Sequence, residues 1–207
     1  EKYPSGTPRK KAFLRTVMPY ITSQNAAITA ERNWLISKQY QGQWSPAERA
    51  RLKDIAKRYK VKWSGNTRKI PWNTLLERVD IIPTSMVATM AAAESGWGTS
   101  KLARNNNNLF GMKCMKGRCT NAPGKVKGYS QFSSVKESVS AYVTNLNTHP
   151  AYSSFRKSRA QLRKADQEVT ATAMIHKLKG YSTKGKSYNN YLFAMYQDNQ
   201  RLIAAHM

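Results

Sequence analysis

The sequence is poor in acidic residues. Only 11 of its 207 residues are Asp or Glu, against 35 Lys and Arg, so the formal net charge at pH 7 is +24. This charge exceeds what solubility requires and predicts a polyanionic partner: nucleic acid, a cell wall that carries peptide carboxylates, or an anionic membrane face. The sequence contains no RNA-recognition, zinc-finger or homeodomain pattern, which argues against nucleic acid.

Long apolar runs and cysteines are also scarce. No run approaches the ~20 apolar residues of a membrane-spanning helix, so we expect no such span in this chain. Two cysteines, Cys114 and Cys119, and only three histidines give no cluster of metal ligands, so we expect neither a metal nor another cofactor. The two thiols either close a small disulfide loop in an oxidising compartment or stay free and buried.

Most of the chain has helical periodicity. Leu14, Val17, Ile21, Ile28 and Leu35 predict a helix between residues 8 and 40, with a break or kink at a central proline, Pro19. The capping patterns Ser45-Pro46-Ala47-Glu48 and Ser134-Val135-Lys136-Glu137 predict two helix starts. Further helices are predicted at 72–79, 155–165, 169–179 and 188–204. The glycine-rich segment 105–132 predicts loops and a short β-hairpin.

Glu94 is the most informative residue. Pro83 and Thr84 favour a helix start, the apolar residues between 86 and 91 recur at helical spacing, and Gly96 favours a stop. Glu94 extends this apolar stripe at the C-terminal end of the helix. Burial and the negative end of the helix dipole both favour a protonated carboxyl group, which suits a general acid. A buried glutamate paired with an arginine is the alternative interpretation.

Several separated blocks resemble glycoside hydrolase family 73, a family of peptidoglycan β-N-acetylglucosaminidases. The first two are ESGWGTS at 94–100 and NNLFGMK at 107–113. Later blocks are YSQFSS at 129–134, ES to YV between 137 and 143, HPAY at 149–152 and GYST at 180–183 with Tyr188. The resemblance spans roughly residues 82–203, and the basic N-terminal extension suggests the Bax-type subgroup.

The resemblance implies an α+β, mostly helical, lysozyme-like domain with a small β-hairpin lobe, at residues 71–207. Residues 1–70 are then a basic helical extension. It further implies hydrolysis of peptidoglycan strands at the β-1,4 bond between N-acetylglucosamine and N-acetylmuramic acid. This substrate implies a periplasmic or cell-envelope location, possible peripheral contact with an anionic envelope surface, and a disulfide between Cys114 and Cys119.

The family match also assigns site residues. Glu94 is the expected general acid, and Tyr181 matches a tyrosine near the reaction centre. The residues expected to contact substrate are Trp97, Asn108, Phe110, Tyr129 and Tyr188. Trp97 and the tyrosines also fit core roles, whereas Leu109 is the expected core residue of the NNLFGMK block. Arg104 and Lys113 flank this region and are candidates to meet peptide carboxylates.

A second catalytic carboxylate is missing from the pattern. Most glycosidases use two carboxylates, but no Asp or Glu lies between Glu94 and Glu137. Glu137 fits the third position of a capping box and is expected to be structural. The alternative is substrate assistance, in which the 2-acetamido carbonyl of the sugar attacks the anomeric carbon.

Two other functions remain open. A lytic transglycosylase or muramidase also uses one glutamate at a helix end, and its products would distinguish it. A non-catalytic protein that binds polymers through its basic surface is the reading from a different class. Replacement of Glu94 by Gln would abolish turnover in an enzyme and leave binding in such a protein.

Overall fold

The computed structural model describes residues 3–115, 119, 122–178 and 185–207, and these are mostly helical. The helices are α1 (Thr7–Lys38), α2 (Pro46–Arg58), α3 (Trp72–Arg78), α4 (Thr84–Ser95), α5 (Lys101–Asn106), α6 (Val135–Thr148), α7 (Ser153–Lys164), α8 (Ala171–Met174) and α9 (Lys186–Ala204). Single 3₁₀ turns cover Pro150–Tyr152 and Ile175–Lys177, so the helix predicted at 169–179 is shorter than expected. None of the helices described is long and apolar enough to cross a membrane.

Helix α4 lies at the centre of the fold. Every residue from Met86 to Ala92 is buried, because α1, α8 and α9 pack around this helix. The predicted boundaries are confirmed: α4 begins at Thr84 and ends before Gly96, whose left-handed conformation (φ 57°) terminates it. The helix that carries Glu94 is therefore held on several sides.

Helix α1 runs without interruption through Pro19, so the predicted break is wrong. Pro19 lies on the exposed side, and the opposite face packs against α4 and α6. This packing outweighs the backbone hydrogen bond that a proline removes. The five periodic apolar residues of α1 are all buried, as predicted. Residues 1–70 and 71–207 thus contribute to one continuous core.

The predicted β-hairpin lobe is not supported. Among the described residues of the 105–132 segment, β-pairing is limited to one isolated antiparallel bridge between Lys113 and Tyr129. Residues 116–118 and 120–121 of the predicted hairpin lie outside the described ranges. Hydrogen bonds from the side chains of asparagines 105–108 hold this segment in place of a strand ladder.

A buried ionic cluster fixes the segment that leads into α4. Asp80, 1% exposed, forms a two-point ion pair with Arg163, with contacts of 2.8 and 3.0 Å, and lies within 3.9 Å of Arg159 and 3.5 Å of Arg32. Arg159 is fully buried and donates to the carbonyls of Glu77, Asp80 and Ile81. Since these arginines come from α1 and α7, the cluster joins three parts of the chain just before α4.

Candidate active site

Glu94 occupies the last turn of α4 and is half-buried. The sequence predicted a position on the inner face of the helix, but the carboxylate reaches the edge of the core and is partly open to solvent. Ser95, the next residue, is fully buried. The helix therefore ends with the Ser95 side chain in the core and the Glu94 carboxylate at the border of the core.

Ser95 organises the turn after α4. Its hydroxyl donates to the carbonyl of Ala91 at 2.6 Å and accepts the backbone N–H of Gly98 at 2.8 Å. Gly96, Trp97 and Gly98 all have positive φ (57°, 57° and 82°), a conformation that glycine adopts readily and tryptophan rarely does. The Gly-Trp-Gly pattern thus reflects a tight left-handed turn that directs the chain away from Glu94.

Two residues distant in sequence meet the Glu94 carboxylate. The hydroxyl of Tyr188, in the first turn of α9, donates to Oε1 of Glu94. Gly111 lies beside the other oxygen: a Cβ atom there would be 3.6 Å from Oε2. A side chain at this position would cover the carboxylate, and its φ of 65° also favours glycine. The predicted residues Glu94 and Tyr188 are thus brought together.

Asparagines 105–108 hold the loop that carries Gly111. Each of the four side-chain amides donates to a backbone carbonyl between residues 112 and 132: Asn105 to Gly124, Asn106 to Val126 and Ser130, Asn107 to Phe132, and Asn108 to Met112 and Ser130. Asn108 is 1% exposed, and its amide oxygen also accepts the N–H of Met112. Its predicted substrate contact does not fit this burial, because its donors and acceptor are used within the protein.

Phe110 is buried as well, at 4% exposure. Its ring stacks on Tyr142 of α6, with centroids 4.0 Å apart and planes 3° from parallel, and the Tyr142 hydroxyl contacts the sulfur of Met90 in α4. The prediction that Phe110 lines the substrate groove does not fit this position. Phe110 instead connects the loop that carries Gly111 to α6 directly and, through Tyr142, to α4.

Trp97 faces helix α1. Its ring packs edge-on against Phe13, with centroids 5.6 Å apart, and the Lys10 ammonium lies 5.1 Å from the ring centroid. Trp97 is half-buried, so part of its surface remains accessible on the α1 side of the turn. This position favours the role of a core anchor over that of a sugar platform beside Glu94.

The remaining predicted residues lie around the 113–129 loop or outside the described ranges. Tyr129 is half-buried and pairs with Lys113 through the isolated bridge. Cys114 and Cys119 are joined by a disulfide, with Cα atoms 5.3 Å apart. Tyr181 lies outside the described residues, as does the rest of the GYST block.

Within the described ranges, the other acidic side chains have partners away from Glu94 or lie exposed on other elements. Glu137 caps α6: its N–H donates to Ser134, and its carboxylate accepts the backbone N–H and hydroxyl of Ser133. Both bonds hold the pKa of Glu137 below its usual range. The bond from the Ser133 hydroxyl is the larger cause and the bond from the backbone N–H the smaller. Asp166 and Glu168 are exposed between α7 and α8. Within the described part of the chain, no three His, Cys, Asp or Glu residues are grouped as metal ligands.

Sequence reasoning missed several residues that build this site. Gly111 stands in the NNLFGMK block, and a glycine allows the backbone to approach a neighbouring group closely. The sequence predicted a substrate contact for Asn108, but not that all four asparagine side chains would hold the loop that follows. Nothing local in the sequence indicated that Asp80 would collect three arginines.

The chain matches known proteins at two levels. Residues 71–201 match the model of the glucosaminidase family, described as mannosyl-glycoprotein endo-β-N-acetylglucosaminidase. Among solved structures, the catalytic domain of the autolysin Auto from Listeria monocytogenes is similar, with a TM-score of 0.46 and 19% sequence identity. That match covers 86% of this chain and 97% of the other.

Proposed function

The chain belongs to the glucosaminidase family, since the family match spans more than half of its length, and on this premise we propose that it cleaves the glycan strands of peptidoglycan. Membership confirms the resemblance inferred from the Glu94 blocks and makes the protein a glycoside hydrolase. The scissile bond is the β-1,4 linkage between N-acetylglucosamine and N-acetylmuramic acid. A lysozyme-like architecture, which the resemblance implied, is part of this proposal.

The observation that carries the mechanism is the environment of Glu94. Its carboxyl group lies half-buried at a helix C-terminus, is held by the Tyr188 hydroxyl and faces the side-chain-free surface of Gly111. A carboxylic acid fixed in this way can donate its proton to the glycosidic oxygen as the bond to the anomeric carbon breaks. Tyr188 thus acts as a positioning residue, in place of the direct substrate contact predicted for it.

Departure of the leaving sugar also needs a nucleophile that attacks the anomeric carbon. We assign it to the 2-acetamido carbonyl oxygen of the substrate, because the acidic residues of the described ranges other than Glu94 are paired or lie on other elements. That oxygen bonds to the anomeric carbon while the leaving sugar departs with the Glu94 proton. Water then attacks the anomeric carbon and gives a proton to Glu94, while the bond between this carbon and the acetamido oxygen breaks and the N-acetyl group is restored. Tyr181 is proposed to hold the acetamido group, on the family match alone.

The charge of the protein supports an anionic polymer as substrate. A net charge of +24 favours association with a wall that carries peptide carboxylates. We place the protein in the periplasm or cell envelope, where this substrate lies and where a Cys114–Cys119 disulfide is stable. Peripheral contact with an anionic envelope surface fits the same charge.

One digestion tests the proposed reaction. Purified peptidoglycan is incubated with the protein, and the new chain ends are identified by mass spectrometry with and without borohydride reduction. New reducing N-acetylglucosamine ends support the proposal. Anhydro-muramic ends would instead identify a lytic transglycosylase, and reducing muramic ends a muramidase. Binding without new ends, unchanged in Glu94→Gln, would favour a non-catalytic polymer-binding protein.

A further inference from the structure

A concave site is lined in part by the turn that follows Glu94. It is a cavity of about 340 Å³ between the first turns of α1 and the segment from Trp97 to Arg104. This volume falls within the roughly 300–1,000 Å³ of typical small-molecule sites. Glu94, Gly111 and Tyr188 are not among its lining residues, so the cavity is distinct from the site proposed for bond cleavage.

The walls of this cavity are largely apolar. They are formed by Ala12, Phe13, Val17, Trp97, Ala103, Leu109 and Val135. Gly98 allows the turn to approach α1 closely, since a Cβ atom there would lie 3.2 Å from the Phe13 ring. Such walls favour a ligand with small aliphatic groups that lose contact with water on binding.

The polar residues that line the cavity are two arginines and three neutral hydroxyl residues, Tyr3, Thr16 and Thr99. The charged residues among them are Arg9 and Arg104, and in the described ranges no acidic residue lines the cavity. Arg9 donates to the backbone carbonyl of Tyr3 and leaves further N–H groups for a ligand. Arg104 is exposed and, in the part of the chain that the structure describes, has no acidic partner. Guanidinium groups bind carboxylates through paired hydrogen bonds, so the ligand should carry a carboxylate.

We propose that this cavity binds a short aliphatic peptide through its free α-carboxylate, and that the peptide is the one attached to the glycan substrate. The ligand class follows from the apolar walls and the two arginines. Its source on the glycan rests on the proposed function. Trp97 lines the cavity and follows Glu94 by three residues in the chain. A peptide held in the cavity would therefore anchor the strand close to the cleaved bond.

The binding test uses the full chain and a defined probe, N-acetyl-alanyl-alanine, compared with its C-terminal amide. Binding is followed by NMR through the Trp97 indole N–H signal, which is assigned with Trp97→Phe. The acid is expected to shift this signal, and the amide to bind at least about tenfold more weakly, because it lacks the charge that pairs with arginine. Equal binding of acid and amide, or no shift with millimolar acid, would overturn the proposal.

Matched variants locate the interaction. Arg104→Gln should weaken binding of the N-acetyl-alanyl-alanine acid by about tenfold, as expected for the loss of one charge-assisted contact. Lys101→Gln removes an exposed charge of the same helix that does not line the cavity and should leave binding unchanged. An equal loss in both variants would show a nonspecific charge effect and reject the site. Thermal unfolding of each variant confirms that the fold is retained.

A kinetic test links the cavity to the substrate and separates the two proposals. Arg104→Gln should raise KM for intact peptidoglycan severalfold, with little change in kcat, and leave KM unchanged for glycan strands stripped of their peptides. An equal rise in KM on both substrates would show that the effect does not depend on the peptide and would reject this link. If the protein binds the probe but cleaves no glycan, the proposed function fails and the peptide site stands. Cleavage without probe binding would give the reverse result.

Discussion

The hydroxyl of Tyr188 donates a hydrogen bond to the carboxylate of Glu94, across 94 residues of sequence. This contact joins the first turn of α9 to the last turn of α4, two helices that pack against each other in the core. The direction of the Glu94 carboxylate therefore depends on where α9 begins. Activity is expected to be sensitive to this contact even though Tyr188 is remote in the chain.

Glu94→Gln should reduce turnover of peptidoglycan by at least about two orders of magnitude, because the amide cannot donate a proton to the leaving oxygen. The half-buried side chain keeps its shape, so circular dichroism and the unfolding temperature should change little. Glu137→Gln is the matched control: its capping contact lies elsewhere, and activity should fall less than about tenfold. Near-normal turnover of Glu94→Gln, or an equal collapse of Glu137→Gln, would contradict the assignment.

Tyr188→Phe keeps the aromatic ring and removes the hydroxyl that holds Glu94. A hydrogen bond to a charged group contributes about 1.5–3 kcal/mol, so kcat should fall by roughly 10- to 100-fold while KM changes little. Tyr191→Phe, an exposed position on the same helix, should behave like the parent protein. A change confined to KM would show that Tyr188 contacts substrate and does not position the acid.

Asp80→Asn should destabilise the fold by about 3–5 kcal/mol in urea unfolding, because it leaves the buried guanidinium of Arg159 without its counter-charge. Burial alone would raise the pKa of Asp80, but the hydrogen bonds from Arg163 and the charges of Arg159 and Arg32 lower it overall.

The sign of this shift fixes the pH dependence. A lowered folded-state pKa gives stability that is fully present above the unfolded value of about 3.9 and is lost as the pH falls through the folded pKa. The stability difference between Asp80→Asn and the parent protein should therefore narrow below about pH 4. A difference independent of pH down to complete acid unfolding would contradict this account.

Cys114 and Cys119 should resist alkylation in protein isolated from the periplasm without reductant, and take up two labels after reduction. Intact-mass spectrometry distinguishes the two states. The double variant Cys114→Ser/Cys119→Ser should lose less stability than the ~3 kcal/mol of a fifteen-residue loop, because the closed loop is short. Two labels before reduction would reject the bridge.

Glycan from which the N-acetyl groups have been removed should bind but resist cleavage, because the proposed nucleophile is absent. Tyr181→Phe should remove about 2–4 kcal/mol of transition-state stabilisation, the range for one hydrogen-bond donor to developing charge. Turnover of normal glycan should fall accordingly. Binding must be measured beside turnover, since lost recognition would give the same loss of product. Cleavage of bound deacetylated glycan at the normal rate would disprove substrate assistance and direct the search to Glu137 or Asp166.

The sequence by itself determined the local features of this protein. Proline and glycine set the ends of α4, the Ser45 and Ser134 patterns formed the predicted N-caps, and the apolar spacing of α1 predicted its buried face. These features depend on residues within one or two turns of each other, so their signals are contiguous. The family blocks around Glu94 identified the chemistry in the same way, through adjacent residues.

Tertiary structure alone decided which of these elements meet. The Tyr188 contact, the anchoring of the 112–132 loop by asparagines and the arginines around Asp80 all join residues far apart in sequence. Where the sequence predicted a hairpin, the amides of these asparagines donate to backbone carbonyls in the described part of the loop. Trp97 turned towards Phe13 because α1 packs there. Periodicity and capping determine which face of an element is buried, but not the element against which it packs; that choice is made by the competing long-range contacts of the whole chain.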